Sequence, residues 1–138
     1  MALPLTFTIP GNPRGKGRPR FVRATGRTYT DDATANAEAY VRMLASREMA
    51  GRQPFEGPVR LTMHAIFAPP KSWSKKRQAE ALTGQIRPTA KPDASNVLKL
   101  AEDAMNGVVF HDDAQITDVV FAKKFGAQPM IVITVEAL

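Results

Sequence analysis

Residues 91–116, KPDASNVLKLAEDAMNGVVFHDDAQI, are the stretch that decides the fold. Apolar side chains recur at helical spacing from Ala94 to Met105, and Asn106-Gly107 is a typical helix stop. A short apolar strand or turn and a pair of acids follow. If the chain reverses at Gly107, those acids return along the helix. The pattern predicts a helix that packs with one side and leaves the other free for chemistry.

The flanking segments predict the remaining elements. Polar and apolar residues alternate in some stretches, as in half-buried strands, and recur at helical spacing in others. The predicted elements are a strand at 3–9, a helix from about 30 to 51, a strand at 58–67, a basic helix from 72 or 74 to about 82, the helix above, and strands at 116–125 and 130–135. The order β-α-β-α-α-β-β indicates a single α+β domain over residues 1–138, with helices packed against a mixed β-sheet.

Two connections carry further expectations. Residues 11–30 are rich in Gly, Pro and Arg and poor in apolar side chains, so we expect a flexible basic loop. Thr30, Asp31 or Asp32 is expected to cap the helix that follows. Residues 126–129 contain Gly and Pro and predict a hairpin between the last two strands.

The composition excludes several classes of protein. The chain has 138 residues, of which 43% are hydrophobic and 23% charged, as in a globular domain. It has no cysteine, which excludes disulfides, thiolate zinc sites and a cysteine nucleophile. No apolar run approaches the roughly 18 residues of a membrane span, and the N-terminus lacks the order of a secretory signal. We therefore expect a cytoplasmic protein with no membrane partner.

The charges are unevenly distributed around a net charge of +6. Six basic residues and no acid lie in residues 1–30, six basic residues and one acid in 71–91, and six acids and one lysine in 93–118. Basic segments bind polyanions, whereas clustered carboxylates repel them unless a divalent cation lies among them. This arrangement suggests metal-dependent phosphodiester chemistry. Charge alone also allows a solvated basic face beside a solvated acidic helix.

Three aspartates are the first candidate metal ligands. If residues 108–115 fold back along the helix, Asp112 or Asp113 can approach Asp93, whose position at a helix start favours an anion. Their oxygens suit Mg²⁺ or Mn²⁺, which would polarise a phosphate and activate a water. A structural role, with Asp93 or Ser95 as the helix N-cap, is the alternative.

A polar stripe on the same helix carries Asn96, Lys99 and Asp103, which lie three and four residues apart. Lys99 can neutralise charge that develops on a phosphate or its leaving oxygen. Asp103, like Asp112, is a candidate additional ligand or a solvated acid. An intrahelical pair between Lys99 and Asp103 is the plain alternative.

The segment quoted first resembles the core motif of RusA-type Holliday-junction resolvases, which are small dimeric endonucleases common in prophages. In that family an Asp-x-Asp-Asn element leads into a helix with a lysine, and an Asp-Asp-x-Gln element follows. Residues 9–20, IPGNPRGKGRPR, also resemble the family's opening strand and basic loop. The resemblance implies paired symmetric nicks in branched DNA, a four-way junction, by a homodimer that uses Mg²⁺ or, as a substitute, Mn²⁺.

The resemblance also implies roles for single residues. Asp93 and Asp113 match catalytic, metal-binding aspartates, Lys99 matches the helix lysine, and Asn96 matches the asparagine. One position departs from the pattern, because Ser95 stands where a second early aspartate is usual. A serine hydroxyl is a weak, neutral ligand.

Three functions are therefore considered. If Asp103 or Asp112 supplies the missing carboxylate, the chain is a junction-cleaving endonuclease. If the site binds metal poorly, the chain is a protein that binds branched DNA without cutting it. A general nuclease for flaps or single strands is the third hypothesis.

Several side chains are candidates for binding DNA. The basic loop is expected to bind as a group. For the basic patch at 71–77, DNA contact and solubility both remain open, and Trp73 can stack on a base, although packing against the second strand is favoured. His111 is assigned a structural role. The DNA-binding candidates are Arg14, Lys16, Arg18, Arg20, Lys75, Lys76 and Asn96.

Overall fold

The protein is described by a computed structural model that covers residues 2–17, 20–29 and 32–138, with the backbone alone for residues 20–22, 28 and 29. Its strands are β1 (Leu5–Pro10), β2 (Arg20–Val22), β3 (Arg27–Tyr29), β4 (Val59–Phe67), β5 (Ile116–Phe125) and β6 (Met130–Ala137). Its helices are α1 (Asp32–Met49), α2 (Lys75–Leu82) and α3 (Ala94–Met105), and a short 3₁₀ turn spans Asp113–Gln115. The predicted α+β class and the order of the main elements are confirmed.

The core lies between one face of the main sheet and the helices α1 and α3, which pack against each other. Alternate residues of three strands point into it, as the sequence pattern predicted. Fully burying each large apolar side chain contributes about 1.5–3 kcal/mol. No helix in the described ranges is long and apolar enough to cross a membrane. The buried strand residues are Leu5, Phe7, Ile9, Val59, Leu61, Met63, Ala65, Ile131, Ile133 and Val135.

The predicted hairpin between the last two strands is wrong. The main sheet has the order β1-β6-β4-β5, so β4 lies between β5 and β6. The chain reaches β5 from β4 through α2 and α3, and such a crossover makes the two strands parallel. Residues 126–129 then cross the end of β4, where a Cβ on Gly126 would lie 2.5 Å from Ile66 Cγ2. Glycine at this position lets the connection pass close to β4.

The predicted loop of residues 11–30 contains an element that the sequence analysis missed. β2 and β3 pair antiparallel in a separate two-stranded sheet, with Arg20 opposite Tyr29. The predicted caps Thr30 and Asp31 lie outside the described residues, and α1 begins at Asp32 in the described part.

Candidate active site

Asp93 occupies the N-cap position of α3 with an extended backbone, and its side chain makes no capping hydrogen bond. Its backbone carbonyl accepts hydrogen bonds from the amides of Asn96 and Val97, both at 3.1 Å. Ser95 lies inside the first turn, so it is not the N-cap. The exposed carboxylate of Asp93 therefore lies beside the positive helix start without being used as a cap.

The chain reverses after α3, as the sequence predicted. Gly107 has a φ of +76°, and its amide donates to the carbonyl of Phe110 at 2.8 Å. Val109 and Phe110 are fully buried and anchor the returning segment in the core. Asp113 is thereby brought back to the polar face of α3, where α3 contacts the 3₁₀ turn.

Gln115 holds this turn in place. Its amide nitrogen donates to the carbonyls of Phe55 and Gly57, each at 2.9 Å. Its side-chain oxygen accepts from the backbone amides of His111 at 2.8 Å and Asp112 at 3.0 Å. All the polar atoms of this amide are engaged. The sequence analysis recorded Gln115 only as part of a motif and missed this role, which depends on residues far away in the chain.

Lys99 connects α3 to the returned Asp113. Its Nζ lies 3.2 Å from Asp103 Oδ1, one turn along the helix, and 3.9 Å from Asp113 Oδ2 on the 3₁₀ turn. The predicted intrahelical pair is therefore present, and the same ammonium also faces Asp113. The hydrogen bond with Asp103 raises the pKa of Lys99, so the side chain stays cationic.

Asp103 is also bound from the basic loop. Its Oδ2 accepts a hydrogen bond from Lys16 Nζ, which lies 3.3 Å from Glu38 Oε1 on α1. Burial opposes ionisation of Asp103, but the hydrogen bonds from Lys16 and Lys99 outweigh it and hold the pKa of Asp103 below its usual value. The bond with Asp103 likewise raises the pKa of Lys16. The predicted roles of Asp103 as a metal ligand and Lys16 as a DNA contact compete with these ion pairs and stay predictions.

Glu102 is a neighbour of this network that the sequence analysis missed. It is half-buried, and burial first and the negative charge of Asp113 second raise its pKa. The signal that could have found it is its position three residues after Lys99, on the same helical stripe.

The four aspartates predicted as metal ligands are not gathered into one cluster. Within residues 2–17, 20–29 and 32–138, no group of three or more His, Asp or Glu side chains could hold a metal ion. Asp112 is exposed. His111 Nε2 lies 2.8 Å from Glu56 Oε1, a contact consistent with its predicted structural role. Mg²⁺ needs only one or two carboxylates when substrate phosphates and waters complete its shell, so Asp93 and Asp113 suffice chemically as donors.

The basic loop packs directly against the start of α3. The amide of Lys16 donates to the carbonyl of Asn96 at 2.9 Å. A Cβ on Gly15 would lie 2.9 Å from Asn96 Cβ and 3.0 Å from Pro92 Cβ, so the close approach requires glycine. The amide of Gly17 donates to Thr34 Oγ1 at 3.0 Å. These contacts bring the loop next to Asp93.

The other DNA-binding candidates differ in what is known of their side chains. Arg14 is exposed in the docked loop, and Asn96 is exposed beside it. Lys75 and Lys76 are exposed in the first turn of α2. Arg18 lies outside the described residues, and only the backbone of Arg20 is described.

The Asp93 carboxylate makes no capping hydrogen bond, Lys99 lies between Asp103 and Asp113, and the basic loop docks beside them. This combination of acids and cations is compatible with action on a phosphodiester backbone. The family profile for endodeoxyribonuclease RusA matches residues 10–136. The chain therefore belongs to the RusA endodeoxyribonuclease family, and this membership supports nuclease function of the Holliday-junction resolvase type. One relative is the uncharacterized protein YqaN of Bacillus subtilis (strain 168). It is 31% identical over 136 residues, which cover 96% of this chain and 95% of the relative.

Proposed function

We propose that this protein is a metal-dependent endonuclease that resolves four-way DNA junctions by paired, symmetric nicks. The observation that carries the proposal is the contact of Lys99 on α3 with Asp113 on the returned segment. This contact joins the two halves of the sequence motif on α3, whose N-cap residue is Asp93. Family membership supplies the nuclease class.

Asp93 and Asp113 are the proposed metal ligands, with Asp112 as an additional candidate. The donor set fits Mg²⁺, or Mn²⁺ as a substitute, because both prefer carboxylate oxygens and keep several waters. When bound, such an ion polarises the scissile phosphate and lowers the pKa of a water. Asp103 is the weakest candidate ligand, because a metal would have to displace two ammonium groups from it.

The chain's own residues supply the other parts of the chemistry. Lys99 is about half exposed and stays protonated, so its ammonium can stabilise negative charge that develops on the phosphate. Gln115 holds the turn that carries Asp113 in position. The basic loop beside Asp93 neutralises phosphates on the flanking strand.

A second activity is supported by one specific feature. Ser95 offers a neutral hydroxyl in the first turn of α3, and Asp103 is already occupied by lysines. A site with fewer carboxylates binds metal more weakly, so a protein that binds branched DNA without cutting it is the alternative. A homodimer is proposed for the cleaving enzyme, because paired nicks in a four-way junction need two sites related by two-fold symmetry.

The test is cleavage of an immobile four-way junction and a linear duplex of the same length, each with Mg²⁺ and with EDTA. Paired nicks in the junction that require Mg²⁺ are expected. The control is Asp118→Asn, since Asp118 is an exposed acid on β5 that pairs with Arg60, and it should cut like the wild type. Tight junction binding without nicks in Mg²⁺ or Mn²⁺ would favour the non-cleaving alternative.

A further inference from the structure

A groove of about 250 Å³ lies between the ends of β4 and β5, α2 and the segment that leads into α3. We call it the aromatic–basic groove. Its chemistry is set by three aromatic and three cationic side chains, and no acid is among the described residues that line it. These six residues are Phe67, Trp73, Arg77, Arg87, Lys91 and Phe125.

The cations of the groove differ from those of the loop network. Arg77, Arg87 and Lys91 are exposed, and none of them forms an ion pair with an acid in the described part of the chain. Lys16, by contrast, is held by Asp103 and Glu38. Unpaired cations around a concave surface favour a polyanion, because binding releases counterions without breaking an internal ion pair.

The aromatic side of the groove combines an edge-to-face ring pair with a guanidinium that lies over the Trp73 ring. The ring centroids of Trp73 and Phe125 lie 5.4 Å apart at 69°, and the Arg77 guanidinium lies 4.0 Å from the centre of the Trp73 ring. The backbone of Trp73 is fixed by hydrogen bonds to Pro70 and Gln78. A guanidinium over an indole ring offers a surface on which an unpaired base can stack.

The groove is lined by Lys91, which lies two residues before Asp93 in the chain. Lys123 Nζ donates to the carbonyl of Ala90 at 2.7 Å and to that of Pro92 at 3.0 Å. These bonds attach the edge of the groove to β5, and Asp93 is the next residue of the chain after Pro92. A DNA strand that contacts Lys91 in the groove would therefore lie close to Asp93.

We propose that the aromatic–basic groove binds an unpaired nucleotide of the DNA strand beside the cut. In this arrangement Arg87 and Lys91 contact phosphates, and the base stacks on the Arg77–Trp73 pair. The inference deepens the proposed function and rests on it for the position of the cut. A branched substrate offers unpaired or easily unstacked nucleotides at its branch point, which a linear duplex does not.

Trp73 makes the test direct, because it is the only tryptophan in the chain. The full-length protein in EDTA is titrated with a short oligothymidylate, with a four-way junction and with linear duplex, while tryptophan fluorescence and gel mobility are followed. Stacking beside the indole is expected to change its fluorescence saturably with the oligothymidylate and the junction. Linear duplex should have much less effect.

Arg87→Ala is the variant and Arg47→Ala the matched control. Both remove one exposed arginine, but Arg47 lies on α1 beside a different cavity, with Phe7 and Glu48. Arg87→Ala should weaken the affinity for the oligothymidylate, measured by fluorescence, about tenfold. It should also reduce the dependence of that affinity on salt concentration by about one phosphate contact, whereas Arg47→Ala should change neither quantity. Circular dichroism of both variants establishes that they fold.

The outcomes separate this inference from the proposed function. Junction binding and cleavage with unchanged Trp73 fluorescence, and Arg87→Ala equal to Arg47→Ala, would overturn the groove and leave the nuclease function standing. A fluorescence change with oligothymidylate in a protein that never cuts a junction would support the groove and overturn the function. An equal response to duplex and to oligothymidylate would overturn the stacking of an unpaired base.

Discussion

The N-cap position and the last turn of α3 each carry an aspartate, but the two carboxylates have opposite surroundings. Asp93 lies exposed at the helix start and makes no capping hydrogen bond. Asp103 is mostly buried and forms ion pairs with Lys16 and Lys99. An unoccupied carboxylate is available to a metal ion, whereas a neutralised one fastens the basic loop to the helix. Position on one helix therefore does not give two acids the same role.

The largest expected effect is on Asp93. Asp93→Asn removes one carboxylate charge and should lower junction cleavage at least about a hundredfold, or about 2.7 kcal/mol of barrier. Junction binding should persist, because the change also removes repulsion between the carboxylate and phosphate. Single-turnover cleavage and gel mobility measure the two quantities. A parallel loss of binding and cleavage would mean that Asp93 is structural.

Gln115→Ala tests the turn that presents Asp113. The change leaves two carbonyls and two amides without their partner and should cost about 1–3 kcal/mol of unfolding free energy. Cleavage should fall about tenfold under conditions where the variant is folded, because Asp113 is no longer held against α3. Urea unfolding and single-turnover cleavage are the measurements. Wild-type cleavage in a destabilised variant would show that the turn serves only stability.

Asp103→Asn should act on stability more than on cleavage. Two ammonium groups lose their anionic partner, and the expected loss is about 1–2 kcal/mol of unfolding free energy, against less than about 0.5 kcal/mol for Asp118→Asn at an exposed pair. The lowered pKa of Asp103 means that its contribution is present above the usual aspartate value of 3.8 and is lost as the pH falls through the lower folded value.

The ion pairs of Asp103 with Lys16 and Lys99 should also make the free energy of unfolding depend on pH in the alkaline range. The raised pKa values of Lys16 and Lys99 mean that their contributions are present below 10.5 and are lost as the pH rises through the folded values. Urea unfolding across pH should therefore show the wild type and Asp103→Asn differing most at neutral pH and converging at both extremes. A difference that is constant with pH would exclude an ionic role for Asp103.

The smallest expected effect is on Ser95, which lies two residues after Asp93 in the first turn of α3. Ser95→Asp adds a carboxylate and should keep junction cleavage or raise it a few-fold, within about 1.4 kcal/mol of barrier. The measurement is the cleavage rate as a function of Mg²⁺ concentration. A tenfold fall would show that serine is suited to this site.

The local sequence pattern was enough to predict the main helices and strands, but it did not predict how the strands are arranged in the sheet. The alternation in β4 and the helical period of α3 predicted which side chains are buried, because both depend on residues close in sequence. The position of β6 between β1 and β4 depends on pairings across the whole chain, and the hairpin prediction for β5 and β6 failed for that reason. The β2–β3 hairpin was missed because its strands have only three residues each.

In the candidate site, too, local sequence predicted some features, whereas others depend on contacts between distant residues. The return of Asp113 toward α3 followed from Gly107 and the helical spacing, and the contact with Lys99 is present. The bond between Lys16 and Asp103 joins residues 87 positions apart, and the contacts of Gln115 with Phe55 and Gly57 span about 60. No spacing rule covers such distances, so the roles of Lys16, Asp103 and Gln115 required the fold.

Mn²⁺ binding to the free protein, followed by electron paramagnetic resonance, tests the contrast between the two aspartates most directly. The wild type, Asp93→Asn and Asp103→Asn are compared at equal protein concentration. Mn²⁺ affinity should be lost in Asp93→Asn and retained in folded Asp103→Asn. Retention in Asp93→Asn together with loss in Asp103→Asn would contradict the assignment of Asp93 to the metal and of Asp103 to the basic loop.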